Sequence, residues 1–218
     1  MDAPTVISLF CGAGGLDLGF RQAGFKIVWA IDNDPDSVST YNSNIGNHAQ
    51  LGDIELTDFS VLPRVNGIIG GFPCQGFSVA NTGRRIDDSR NILYKNFVRG
   101  LSEIRPEFFL AENVKGILSL GKGEVFRHII TEFESVGYSC KYALVNAAHY
   151  GVPQNRQRVL IFGVRSDLLG GEIVWPPEET TRERPISIGE ALEGYPEPDE
   201  VHQLKNHVYS QFRLKFNG

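Results

Sequence analysis

Apolar residues in the first 165 positions alternate between two patterns. Short continuous runs rich in β-branched and aromatic residues are separated by longer stretches with helical spacing. Thr5–Phe10, Lys26–Asp32, His48–Ile54, Asn66–Phe72, Glu107–Asn113, Ser139–Asn146 and Arg158–Arg165 read as strands. Leu16–Ala23, Pro35–Asn44, Arg90–Ile104 and Glu124–Val136 read as helices. Their ends carry the expected punctuation. Gly24 and Gly137 follow the first and last helix, Pro35 opens the second, and Pro106 stands just beyond the third. Strands and helices in this order predict an α/β fold, with a mostly parallel sheet and helices on both faces. Ligands in such sheets sit beyond the carboxyl ends of the strands. After Arg165 the alternation fades. Gly170-Gly171 and Pro176-Pro177-Glu178-Glu179 read as a boundary, and Ile186–Leu192 as one short helix.

Composition adds limits. The 218 residues, 41% hydrophobic and 22% charged, are enough for one core and exclude wholesale disorder. No apolar run is long enough for a transmembrane helix, and the N-terminus lacks the basic start of a signal peptide. Three widely spaced cysteines, Cys11, Cys74 and Cys140, argue against a disulfide framework or zinc site and fit a reducing cytoplasm. The histidines show no metal-ligand spacing, so no metal is expected. The net charge of −5 is unevenly placed. Residues 1–165 carry 16 acids and 16 bases, whereas residues 166–200 carry 10 acids and 2 bases. The acidity therefore does not prevent a basic, phosphate-binding groove in the body of the chain.

Four clusters carry candidate chemistry, each at a predicted strand end. The first is Phe10-Cys11-Gly12-Ala13-Gly14-Gly15. It is either a tight turn or a loop whose backbone approaches a ligand. Asp17 stands where a dinucleotide fingerprint would need its third glycine. Asp32 ends the second strand, where an acid accepts hydrogen bonds from a ribose diol, and Asp53 could meet an adenine amino group. The set points to an adenosine cofactor with no pyrophosphate. The second is Gly71-Phe72-Pro73-Cys74-Gln75, where the turn exposes a cysteine as a nucleophile candidate. Cys11 and Cys140 read instead as small buried hydrophobes. The basic run after Cys74, with Arg84 and Arg85, is either a solvated loop or a lid that closes on phosphate.

The third is Glu112-Asn113-Val114, where partial desolvation could raise the pKa of Glu112 for proton handling, and where pairing with an arginine is compatible with that role. The fourth is Gln154-Asn155-Arg156-Gln157-Arg158. Period-two alternation puts Gln154, Arg156 and Arg158 on one face, either to meet anions or to guard a solvated strand edge.

Together these blocks resemble the cytosine-C5 DNA methyltransferase family. The likeness covers about residues 5–165 and rests on the glycine loop, Asp32, Gly52-Asp53-Ile54, the Pro73-Cys74-Gln75 run, Glu112-Asn113-Val114 and Gln154-x-Arg156-x-Arg158 in one order. The resemblance implies a Rossmann-like, S-adenosylmethionine-dependent domain of restriction-modification type. Cys74 would add to C6 of a cytosine flipped out of double-stranded DNA, and Glu112 would contact N3 and the exocyclic amine. Arg158 would bind the C2 carbonyl, with Arg156 ordering the site. It implies a cofactor pocket of Phe10, Gly12, Ala13, Gly14, Gly15, Asp32, Asn33, Asp53, Ile54, Pro73 and Leu93. Gln75, Ser78, Arg84, Arg85 and Gln154 would meet the DNA.

Asn33 departs from members with an aromatic residue beside the adenine. The family's later R-x-x-T and G-N-x-V blocks are absent from the sequence. Residues 166–218 are therefore expected to be a linker and the start of a target-recognition region. A second polypeptide is a candidate source of the rest, and the chain alone is expected to have weak or no sequence-specific activity. A nucleotide-binding module without catalysis, an RNA-directed relative and an inactive partner subunit are the alternatives. Glu112 and the arginine pair, which a pure binder does not need, weigh against the first.

Overall fold

A computed structural model describes residues 2–73 and 93–196. Seven strands form one sheet: β1 (Thr5–Leu9), β2 (Lys26–Asp32), β3 (Ala49–Leu51), β4 (Gly67–Gly70), β5 (Phe108–Val114), β6 (Tyr138–Asn146) and β7 (Gln157–Arg165). Their spatial order is β3-β2-β1-β4-β5-β7-β6. The first five are parallel, and β7 runs antiparallel between β5 and β6. The mostly parallel sheet expected from the sequence is present. The reversal follows from the connection between β6 and β7, which holds only a short 3₁₀ turn rather than a crossover helix.

Helices cover both faces. On one, α3 (Leu93–Ile104) and α4 (Glu124–Ser135) press Phe97, Leu101, Ile129 and Phe133 onto Ile7, Ile68, Phe109 and Ile161. On the other, α1 (Gly15–Gln22) lays Leu16 and Phe20 on Val6, Ile69 and Leu110. Beside it, α2 (Pro35–Asn44) buries Val38 and Tyr41 against Ala30 and Ala49. The start of α2 is written locally: Pro35 occupies the first turn and the Asp34 carboxylate accepts from Ser37 N at 3.2 Å. A fifth helix, α5 (Ile188–Leu192), begins at a Ser187/Glu190 capping box, two residues later than the apolar pattern suggests. Among the described residues no helix is long and apolar enough to cross a membrane.

Three strands stop short of expectation at their carboxyl ends. β1 stops at Leu9 because Phe10 takes a left-handed φ of 55°. β3 stops at Leu51, so Asp53 caps the next 3₁₀ turn, accepting from Glu55 N at 2.9 Å. β4 stops at Gly70, leaving Gly71, Phe72 and Pro73 as an extended exit. The acidic segment after β7 folds back on the domain. Trp175 stacks on Phe162 with ring centroids 5.0 Å apart, and Thr181 N donates to His149 O at 2.9 Å.

Candidate cofactor cleft and catalytic edge

The chain builds outward from β1 through β2 to β3, then returns to place β4 on the other side of β1. The strand order reverses there, which opens a crevice at the carboxyl ends. A cleft of about 350 Å³, counted out to open solvent, occupies it. Phe10, Asp32, Asn33, Asp53, Ile54, Pro73 and Leu93 line it, all seven being residues expected in a cofactor pocket. Ile31 and Gly52 also line it and were not expected there. In sequence Gly52 is marked only by its place in the Gly52-Asp53-Ile54 run; in the fold a methyl group on it would come within 3.3 Å of Ile31 Cδ1. The loop residues Gly12, Ala13, Gly14 and Gly15, also expected in the pocket, are not among the residues that line this cleft.

Asp32 joins wall to loop. Its Oδ2 accepts from Gly12 N at 2.7 Å and its Oδ1 from Asp34 N at 3.0 Å. A carboxylate has about four lone-pair sites, so acceptor capacity remains for a ligand. The left-handed backbone of Phe10 is costly for a bulky residue, by roughly 1–2 kcal/mol, and fixes the direction in which its ring enters the cleft.

The far wall is held from outside. Arg99 of α3 donates to Thr57 O and Ile54 O, each at 2.8 Å, and stacks on Phe59 at 4.6 Å. It clamps the 3₁₀ turn that carries Ile54 into the cleft. Sequence reasoning missed Arg99, because the carbonyls it binds lie more than forty positions away and carry no side-chain signature. Arg99→Met is expected to weaken binding of the S-adenosylmethionine that the sequence resemblance implies about tenfold, since each hydrogen bond to a charged group contributes about 1.5–3 kcal/mol and only part of that reaches the ligand. Titration calorimetry checks this; unchanged affinity would remove Arg99 from the cleft's support.

A second cluster lies beside the cleft. Arg158 Nε and Glu112 Oε1 form an ion pair at 2.6 Å, each side chain about a quarter exposed. Antiparallel pairing sets Val114 opposite Arg158 and Glu112 opposite Leu160, so the two charged groups meet diagonally on one face. Next to them, a methyl group on Gly71 would stand 3.0 Å from Glu112 Oε2. Buried Asn113 donates to Phe72 O at 2.9 Å and accepts from Val114 N at 2.8 Å. Asn113 thus pins the segment that runs into Cys74, a role its place in the motif did not reveal.

The expectation that Gln154, Arg156 and Arg158 share one strand face needs correction. β7 begins at Gln157, so only Arg158 of the three lies on the strand. Gln154 and Arg156 are exposed in the preceding turn, where Asn146 Oδ1 accepts from Arg156 N at 3.1 Å. That side-chain acceptor competes with ladder pairing and ends the strand's alternation. Cys74, Gln75, Ser78, Arg84 and Arg85 lie outside the described residues.

Cys11 is buried, as expected, whereas Cys140 is half-buried at the edge of the core. Burial pushes both thiols up to about 12, with the charges of Asp17 and Asp32 adding at Cys11 and that of Glu134 at Cys140. Neither is a thiolate at neutral pH, so neither can serve as a nucleophile.

Comparisons with known proteins bear on the family and the fold. The family model for C-5 cytosine-specific DNA methylase matches residues 4–217. The type II methyltransferase M.BspRI of Lysinibacillus sphaericus is 43% identical over 195 residues, which cover 77% of this chain and 46% of that protein. M.NgoFVII of Neisseria gonorrhoeae, also a type II methyltransferase, is 41% identical over 210 residues, covering 92% of this chain and 56% of that one. A crystal structure titled as a DNA modification methyltransferase from an E. coli prophage superposes with a TM-score of 0.74 at 34% identity, covering 89% of this chain and 56% of that chain. The chain spans about half the length of the curated relatives it matches. The chain belongs to the C-5 cytosine-specific DNA methylase family.

Proposed function

We propose that the chain is the catalytic portion of a cytosine-C5 methyltransferase that acts on double-stranded DNA in the cytoplasm, within a restriction-modification system. The observation that carries this is the segment Gly71-Phe72-Pro73. Pro73 lines the cleft, Gly71 abuts Glu112, and Asn113 holds Phe72 between them. Cys74 follows directly in the sequence, and this reading makes it the nucleophile.

The cleft suits S-adenosylmethionine. Its described lining offers two carboxylates, apolar walls and no lysine or arginine. That favours a cationic sulfonium with a ribose over a ligand bearing phosphates. Asp32 would hold the ribose, Asp53 the adenine edge, and Ile54 and Leu93 the faces of the ring system. When bound, the cofactor supplies the methyl group for C5.

The chain's own residues prepare the base. The thiolate of Cys74 bonds to C6 of an extruded cytosine, and the displaced electron pair moves toward C5 and N3. Glu112 shares a proton with N3, which stabilises that charge. Arg158 orients Glu112 and binds the C2 carbonyl. After methylation a base takes the C5 proton, the freed electron pair re-forms the C5–C6 double bond, and the Cys74–C6 bond breaks to restore the thiolate. Residues 166–218 would serve as a linker and the start of a recognition region, which a second polypeptide or further chain would complete.

The test uses duplex DNA carrying 5-fluorocytosine, tritiated S-adenosylmethionine, and the chain with and without candidate C-terminal chains. With a completing chain, a covalent labelled adduct is expected, because fluorine cannot leave as the proton does. Cys74→Ser is expected to form none. An adduct that survives Cys74→Ser, or none with any completing chain, overturns the proposal.

A further inference from the structure

One buried polar cluster lies behind the cleft and takes no part in the chemistry above. Asp17, in the first turn of α1, is fully buried. Its Oδ2 accepts from Ser8 Oγ of β1 at 2.9 Å, and its Oδ1 from Tyr41 Oη of α2 at 2.8 Å. Tyr41 is fully buried too, and His48 Nε2 lies 3.0 Å from its hydroxyl. The Tyr41 proton is committed to Asp17, so His48 must donate from Nε2 to the Tyr41 oxygen. That fixes the tautomer of His48.

The cluster also shapes the glycine loop. Gly14 has φ 88° and caps α1, and a methyl group there would lie 2.8 Å from Tyr41 Cδ2 and 2.6 Å from Ile45 Cγ1. The loop backbone therefore rests directly on the Tyr41 ring. On its other side Gly12 N is held by Asp32. On Gly12 and Gly15 an added methyl group would meet open space. The loop is thus held by β2 on one side, through Asp32 and through Cys11 N donating to Ile31 O at 3.0 Å, and by this cluster on the other.

Stability alone gives no account of a carboxylate here. Burial raises the pKa of Asp17, against the lowering by its two hydroxyl partners and by His48. The folded state therefore holds the proton more tightly than the unfolded state does. Above the folded pKa this group costs stability, and the cost disappears as pH falls below the unfolded value. Apolar residues of matching shape commonly stabilise a core at least as well as such a group.

We propose that Ser8, Asp17 and Tyr41 are positioning residues that set the glycine loop against Asp32, and so set cofactor affinity without touching the cofactor. The proposal rests on the reading of the cleft as the S-adenosylmethionine site.

The experiment titrates the 218-residue chain with S-adenosylmethionine by calorimetry and follows its thermal unfolding without cofactor. Tyr41→Phe keeps the ring that supports Gly14 and removes the hydroxyl, leaving Asp17 Oδ1 buried without its donor. Its Kd is expected to rise about tenfold at a temperature where the chain stays folded. Ser8→Ala removes the other donor and is expected to act in the same direction, should Tyr41→Phe fold poorly. Tyr138→Phe is the control, since that buried hydroxyl donates to Pro106 O at 2.8 Å on the opposite face, away from the cleft. It is expected to lower the unfolding temperature and leave Kd unchanged. Wild-type affinity in both Tyr41→Phe and Ser8→Ala, or an equal loss in Tyr138→Phe, overturns the proposal and leaves the cleft assignment standing. A wild-type chain that binds no S-adenosylmethionine overturns the cleft assignment and this proposal together.

Discussion

Asp32→Ala is expected to reduce S-adenosylmethionine affinity about a hundredfold, the largest loss from any single side chain in the cleft. Two effects add. The variant loses the acceptor proposed for the ribose, where a hydrogen bond to a charged group contributes about 1.5–3 kcal/mol. It also frees Gly12 N and Asp34 N, which Asp32 holds at 2.7 and 3.0 Å. The loop at the start of α1 and the cap of α2 then lose their shared anchor. Asp32→Asn separates these contributions. One amide oxygen can still accept from Gly12, but the other position becomes a donor facing Asp34 N. A loss of about tenfold is expected there. Calorimetric titration of both variants beside the wild type decides the matter. Equal affinity in wild type and Asp32→Ala would move the cofactor out of this cleft.

Gly70→Ala is expected to be the most destabilising small substitution, by about 3 kcal/mol or more, with the fold lost near body temperature if the reserve is ordinary. An added methyl group on Gly70 would run into the backbone carbonyl of Leu9. Side chains can rotate away from such a contact, but a carbonyl in a parallel ladder cannot. Gly70 pairs with Leu9 at the junction of β4 and β1, where the cleft opens. The strands would have to part, and Phe10 and Pro73 would move with them. Urea unfolding gives the measurement. A midpoint equal to that of the wild type would show that the two strands yield more easily than close packing allows.

The sequence exposed most of the fold because its signals are local. Alternating apolar runs, Pro35, Gly24 and Gly137 mark elements through short-range sterics, and six of the seven strands lie within two residues of expectation at each end. β3 fell short of both expected ends and left Asp53 outside the strand, because a side-chain cap outcompetes one more ladder bond. The cleft was legible for the same reason: loops after parallel strands must gather at one rim, so Phe10, Asp32 and Asp53 could be grouped without coordinates. What stayed hidden depends on partners without a motif. Arg99 grips backbone carbonyls, Asn113 holds another, and Tyr41 works through the space left by a missing methyl group at Gly14. Backbone acceptors look alike in every sequence, so no residue pattern announces them. Gln154 and Arg156 escape the period-two reading because alternation does not extend upstream of the strand, where Asn146 claims Arg156 N.

The reversed direction of β7 has a consequence for how the protein comes into being. In a wholly parallel sheet only segments leaving a strand reach the working rim. Because β7 runs the other way, its opening residue pair arrives there, and Arg158 meets Glu112 across a separation of 46 positions. Since β7 lies between β5 and β6, it must insert before the edge of the sheet can close. A nascent chain that has emerged through α4 already has the cleft walls but holds Glu112 without its partner. Such distant pairings form late because loop closure must precede them. Synthesis therefore presents the residues of the cleft first, and the Glu112–Arg158 pair only after the final hairpin has been made.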